Sequence, residues 1–176
     1  MFKLFEEENL GNFSWDSIGD VKDGRLNLGE DMPVYVYRLF QFTIKAELIK
    51  RYGNDTTIEI FRNAGDLAGT EFAHKMLDLS LPFEAFIASL QSVLENSKIG
   101  ILRVEKFDEK TGEAIITVGE DLDCSGLPIT GETVCNYDEG FLAGILREYT
   151  KQNYVVREID CWASGARVCR FEAKIN

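Results

Sequence analysis

Apolar positions recur with a helical period through the first half of the chain and with a strand period through much of the second. After Pro33, Leu39, Phe42, Ile44, Leu48 and Ile49 form a stripe that predicts a helix over 34–52. Proline suits a helix's first turn, where its missing N–H would have no partner anyway. Gly53 follows as a stop signal. Asp55 can cap a second helix over 56–78, which carries Ile58, Phe61, Leu67 and Phe72. Ser80 and Pro82 introduce a third over 81–96, with Phe83, Phe86, Ile87 and Leu90 inside it. Near Lys98 the period shortens. Ile99, Ile101 and Val104 lead to Phe107, the run from Asp108 to Gly112 reads as a hairpin turn, and Ala114, Ile115, Ile116 and Val118 form the return strand. A Gly- and Pro-containing loop reaches about residue 132, a helix is expected over 137–151, and two last strands, 153–160 and 167–175, flank a turn at Ala163–Ala166. Grouped helices and hairpins predict an α+β fold, helices packed on an antiparallel sheet.

Residues 1–32 do not share this patterning. They are polar, with Gly11, Gly19, Gly24 and Gly29 spread through them, and read as an irregular arm with short strands at best, one that could wrap a partner subunit. Residues 33–176 read as one domain, since roughly 100–200 residues is the usual span. With 45% hydrophobic residues, 12 Phe among them, the chain can bury a sizeable core. The formal net charge is −11, a surface that repels nucleic acid and anionic membranes alike. Glu6, Glu7 and Glu8 interrupt the first apolar residues, so no signal peptide is expected. No apolar run approaches the roughly 18–20 residues of a membrane span, and a cytoplasmic location is the expectation.

The four cysteines, at 124, 135, 161 and 169, all fall in the C-terminal third. Without a secretory signal, metal binding or plain burial suits them better than a disulfide framework. Cys135 precedes the fourth long helix, where Asn136 as N-cap and Glu139 three residues on resemble a capping box. A thiol there feels the positive end of the helix, which favours the metal-binding thiolate. Cys161 and Cys169 flank the last hairpin turn with seven residues between them, and Glu158 precedes Cys161 by three. Positions three apart in a regular strand face opposite ways, so Glu158 and Cys161 can share a metal only if the chain bends or bulges near Asp160. Three thiolates and a carboxylate suit zinc, and four protein ligands make a closed, structural site. The bland alternative is three buried cysteines and a surface Glu158 paired to Arg157 or Arg170.

The segment Glu158-Ile159-Asp160-Cys161-Trp162-Ala163-Ser164-Gly165, with Cys169-Arg170-Phe171-Glu172 and Tyr137 to Gly144, resembles the 4-vinyl reductase domain family. The resemblance runs from about Tyr35 onward and is strongest from Cys135 to Phe171. It implies a TRAPP-subunit-like fold, a homodimer, and kinship with the sensor domains of phenol- and xylene-responsive regulators. In those a zinc site supports an aromatic-ligand pocket. The family's ligands carry over in order onto Cys135, Glu158, Cys161 and Cys169, and leave Cys124 as a buried or loop thiol. Phenol recognition does not carry over. Those sensors hold the hydroxyl with a His and a Trp, whereas His74 is the single histidine here and Trp15 and Trp162 the two tryptophans.

Other features have an ordinary reading beside a functional one. Gly65 and Gly69 on one helix, and Gly140 and Gly144 on another, point to tight helix packing or to room for a ligand. Phe72, Phe83, Phe86 and Trp162 could line a pocket for a small hydrophobic or aromatic molecule, although aromatics in a domain this size more often fill the core. His74 reads as a surface or helix-packing residue. Asp20, Asp23, Glu30 and Asp31 lack calcium-loop spacing and read as a solvated face. The resulting expectation is a zinc-containing binding module. A tetrapyrrole vinyl reductase is the alternative that the family name suggests, but the chain has no fingerprint for a nucleotide cofactor. A dimeric scaffold without a ligand is the third.

Overall fold

Residues 13–108 and 110–176 are described by the computed structural model. The first 12 residues of the expected arm, and Glu109 in the expected hairpin turn, lie outside them. The remainder of the arm holds no strand; it forms a 3-10 turn, Trp15–Ile18, and a short helix, α1 (Val21–Gly24). Trp15 folds onto the chain's own next-but-one helix, its backbone N–H donating to Glu71 Oε2 at 2.6 Å and its ring tilting toward Phe72.

The predicted elements follow with ends shifted by a few residues. They are α2 (Val34–Tyr52), α3 (Asn54–Met76), α4 (Phe83–Asn96), β1 (Ile101–Phe107), β2 (Ala114–Gly119), α5 (Asn136–Thr150), β3 (Tyr154–Asp160) and β4 (Cys169–Ile175). Gly53 does more than stop α2. At φ 83° and ψ 168° it takes a conformation closed to residues with a side chain, and α3 starts at the next residue. Gly53 rather than Asp55 is thus the N-cap of α3.

The strands form one antiparallel sheet in the order β1-β2-β4-β3. The shared core contains Phe86 of α4, Ile145 of α5, Val156 of β3 and Phe171 of β4, all fully buried. Helices α3 and α5 meet backbone to backbone. A methyl group on Gly65 or Gly69 would overlap the carbonyl oxygens of Tyr137 or Phe141, and one on Gly140 or Gly144 those of Arg62 or Asp66. The glycine pairs therefore serve close helix packing. Arg147 fastens the same pair of helices through Asp66 and Thr70. Helix α2 differs from the rest. Gln41 is its one buried residue, and Tyr35, Leu39, Phe40 and Tyr52 lie more than half exposed. Among the described residues, no helix is long and apolar enough to cross a membrane.

Candidate metal centre

Each cysteine is presented by a different local device. The β2–α5 loop turns at Asp121, whose Oδ1 accepts from the N–H groups of Asp123 and Cys124 at 2.8 and 3.1 Å. This Asx-type turn sends the Cys124 side chain inward. Cys135 is itself the N-cap of α5. Asn136 is the helix's first residue, and the expected capping box is not formed. Glu139 is drawn elsewhere, its Oε1 accepting from the Glu158 N–H at 2.9 Å and its Oε2 meeting Arg62. Cys161 precedes a 3-10 turn, Trp162–Ser164, where the Ser164 hydroxyl bridges its N–H and C=O. Cys169 opens β4 opposite Val118 of β2. The loop is tied to the last turn as well, the N–H groups of Thr130 and Gly131 both donating to the Ala163 carbonyl.

These devices bring four fully buried thiols together, with all four Sγ atoms within 4.8 Å of one another. Cys135 Sγ is 3.8 Å from both Cys161 Sγ and Cys169 Sγ, and Cys124 Sγ is 3.0 Å from Cys169 Sγ. Thiolates about 2.3 Å from a tetrahedral zinc stand about 3.8 Å apart, so two of the three separations match a shared metal. Cys124, expected to stand outside the ligand pattern, is inside the cluster.

Glu158 stands at the cluster's edge. The expected bend is present: the β3–β4 register shifts between Glu158 and Asp160. Glu158 does not pair with Arg157 or Arg170; Arg170 meets Glu105 and Asp160 instead. Glu158 is buried, its Oε2 accepts from the Cys135 N–H at 2.9 Å, and its Oε1 has no partner among the described residues. Desolvation raises its carboxyl to about 8. An orphaned carboxylate oxygen beside four touching thiols is costly unless a cation lies near. The thiols share the problem, since contact lets one ionise only at its neighbours' expense. Hydrogen bonds, chiefly from Cys124, hold Cys161 far below the ordinary thiol range, whereas Cys135 and Cys169 are pushed far above it, again chiefly through Cys124. A divalent cation would relieve all of these at once, so the residues fit a metal.

A second layer, which sequence reasoning missed, faces the cluster. Burial raises Asp121 to about 7 and also raises Asp123 and Asp138. Helix α2 grips this acidic loop from outside. Tyr37 and Gln41 donate to the two Asp123 oxygens at 2.8 and 2.6 Å, and Arg38 donates to the carbonyls of Leu122 and Ser125. Lys45 reaches the Val134 carbonyl and Asn136 Oδ1, one on either side of Cys135. Residues 37, 41 and 45 are polar at four-residue spacing on an otherwise apolar helix, a signal that was present in the sequence.

The aromatic residues singled out as pocket candidates are not gathered in one place. Phe72 packs edge-on against Phe141, Phe83 stacks on Phe107, and Phe86 stacks on Tyr149. Trp162 donates to the Leu127 carbonyl and borders a polar cavity of about 460 Å³ with Arg38, Asp121 and Arg167. An apolar cavity of about 260 Å³ lies between α2 and α3, lined by Phe40, Ile44, Leu48, Ile60 and Phe61, with Tyr37, Gln41 and Tyr137 along it. His74 is a surface residue paired with Glu148.

Residues 114–175, which include the second hairpin and three of the four cysteines, match the 4-vinyl reductase domain. Two uncharacterised proteins of Methanocaldococcus jannaschii are similar in sequence. MJ0150 is 30% identical over 117 residues, 66% of this chain and 64% of that protein, so the chain spans less than two thirds of it. MJ1642 is 28% identical over 149 residues, 84% of this chain and 81% of that protein. Among solved structures, a vinyl-4-reductase family protein from the same organism aligns over 99% of both chains at 18% identity, TM-score 0.61. The phenol-responsive sensory domain of the transcription activator PoxR, solved with phenol, aligns over 82% of this chain and 75% of its own at 13% identity, TM-score 0.63. A trafficking protein particle complex subunit 3 from Naegleria fowleri, covalently bound to palmitic acid, aligns over 81% of this chain and 95% of its own at 12% identity, TM-score 0.64. With five helices on a four-stranded antiparallel sheet and this domain match, the chain is a 4-vinyl reductase domain protein with a TRAPP-subunit-like fold.

Proposed function

We propose that this chain is a zinc-stapled binding domain for a small hydrophobic or aromatic molecule, with the zinc in a structural role. The observation that carries this reading is the convergence of four buried thiols from three segments on one point, beside the unpaired oxygen of Glu158. Cys135, Cys161 and Cys169 would hold the metal, with Glu158 and Cys124 as candidates for the fourth place. Zinc supplies a cross-link there and, with four protein ligands, no open position for a reacting water. The chain's own residues then fasten the loop, the start of α5 and the last hairpin to one another. Free, reduced cysteines suit a reducing, cytoplasmic compartment.

Phe72, Phe83 and Phe86 already stack on neighbouring rings, so we assign the ligand to the apolar cavity between α2 and α3. Its volume, about 260 Å³, is near the lower end of small-ligand sites, about 300–1,000 Å³. A single-ring aromatic is of that scale, as is the phenol held by PoxR, a protein with the same fold. The exposed apolar side of α2 favours a homodimer formed through that helix, which would also close the cavity from solvent.

The test is a thermal-shift and calorimetric screen of single-ring aromatics against the parent and an Ile44→Trp variant, which fills the cavity. Saturable binding by the parent that the variant loses supports the assignment. Equal binding by both moves the ligand elsewhere, and no binding by a metal-loaded, folded parent sinks the binding-module reading.

A further inference from the structure

The resemblance to a known family implies Glu158 as the fourth metal ligand, but the geometry favours another donor. Cys124 Sγ belongs to the set of four sulfurs that lie within 4.8 Å of one another, and Glu158 is not part of that set. The Glu158 carboxylate has a task already: its Oε2 accepts the Cys135 backbone N–H, so it fixes the start of α5 and aims the Cys135 thiol. Its own backbone is anchored in turn by Glu139. Cys124 has no task other than the cluster. It is fully buried, its side chain meets Cys169 Sγ at 3.0 Å, and the Asp121 turn that presents it is bolted to α2 by Tyr37, Arg38 and Gln41. A contact that close, between atoms that form no disulfide, is what two thiols do when they converge on a common partner.

We infer that the centre is an all-sulfur site, with Cys124, Cys135, Cys161 and Cys169 as ligands and Glu158 as an outer positioning carboxylate. The inference rests on the metal reading above and deepens it. Four thiolates around a divalent cation leave two negative charges, which the positive end of α5 and the Lys45 ammonium beside Cys135 offset. All-sulfur ligation also makes the loop that α2 grips part of the metal site, so one wall of the apolar cavity is connected to the metal through Asp123 and Cys124.

Zinc-edge X-ray absorption on the purified full chain counts the sulfurs directly. The expected result is four sulfurs at about 2.3 Å in the parent. Cys124→Ser should show three sulfurs and one lighter atom. Glu158→Gln should keep four sulfurs and bind zinc roughly 10- to 100-fold more weakly, as loss of an outer-shell partner does. Three sulfurs and one oxygen in the parent overturn the assignment, whether or not either variant folds, and leave the metal reading standing. A folded parent without metal overturns both.

Discussion

At the scale of single residues, the α3–α5 contact is the sharpest constraint in the molecule. Alanine in place of a helical glycine ordinarily gains about 1 kcal/mol. At Gly140 the added methyl would overlap the Arg62 carbonyl, an atom of the backbone that cannot swing aside. Gly140→Ala is therefore expected to destabilise by about 1–3 kcal/mol, in urea unfolding followed by circular dichroism. Gly126→Ala, in open space, tests something different, because its φ of 89° strains any side chain. The four-residue spacing of both glycine pairs was legible in the sequence, and so was the bend that Glu158 and Cys161 require. Cys124 was not. Its direction depends on the hydrogen bonds of Asp121 Oδ1 within a loop that has no periodicity to read.

Among elements, α2 is the unusual one. Its apolar stripe predicted a helix with the observed ends, because Pro33 and Gly53 set them and neither needs tertiary context. Its partner was hidden, since the helix spends Tyr37, Arg38, Gln41 and Lys45 on a loop about 80–90 residues further along the chain. Hydrogen bonds, rather than apolar burial, hold its inner face to that loop. Arg38→Ala removes donors to the Leu122 and Ser125 carbonyls. Amide hydrogen exchange should then quicken in residues 121–125 while the β2–β4 ladder keeps its protection. Unchanged exchange in the loop would show that the metal cluster alone holds it. The short turns of the arm, expected as irregular or stranded, formed because Asp20 caps α1 through Asp23 N–H, a local interaction that a search for hydrophobic periods does not register.

Considered as a whole, the molecule concentrates buried acid near one point: four thiols, Glu158, Asp121, Asp123 and Asp138. In chelated protein, burial raises Glu158 to about 8 and Asp121 to about 7, above the ordinary carboxyl range. The folded chain then binds more protons than the unfolded one between about pH 4 and 8. Their contribution is fully present below about pH 4 and is lost as pH rises through 7–8. Chelated protein should therefore unfold at lower urea at about pH 8.5 than at about pH 5.5. Metal-loaded protein should show the reverse, since protons compete with the metal for thiolates. The same slope in both forms would mean that no metal resides at the cluster. The α+β class and the order of its elements were legible from periodicity, but the acidic shell was not, because it assembles from positions that are distant in sequence.

The central claim is a metal at the cysteine cluster, and the most direct test is elemental mass spectrometry on gently purified protein beside a Cys161→Ser variant. The account predicts about one zinc per chain in the parent and its loss in the variant. A well-folded parent without metal would contradict it, leaving the four cysteines as core thiols and the binding-module reading without its main support.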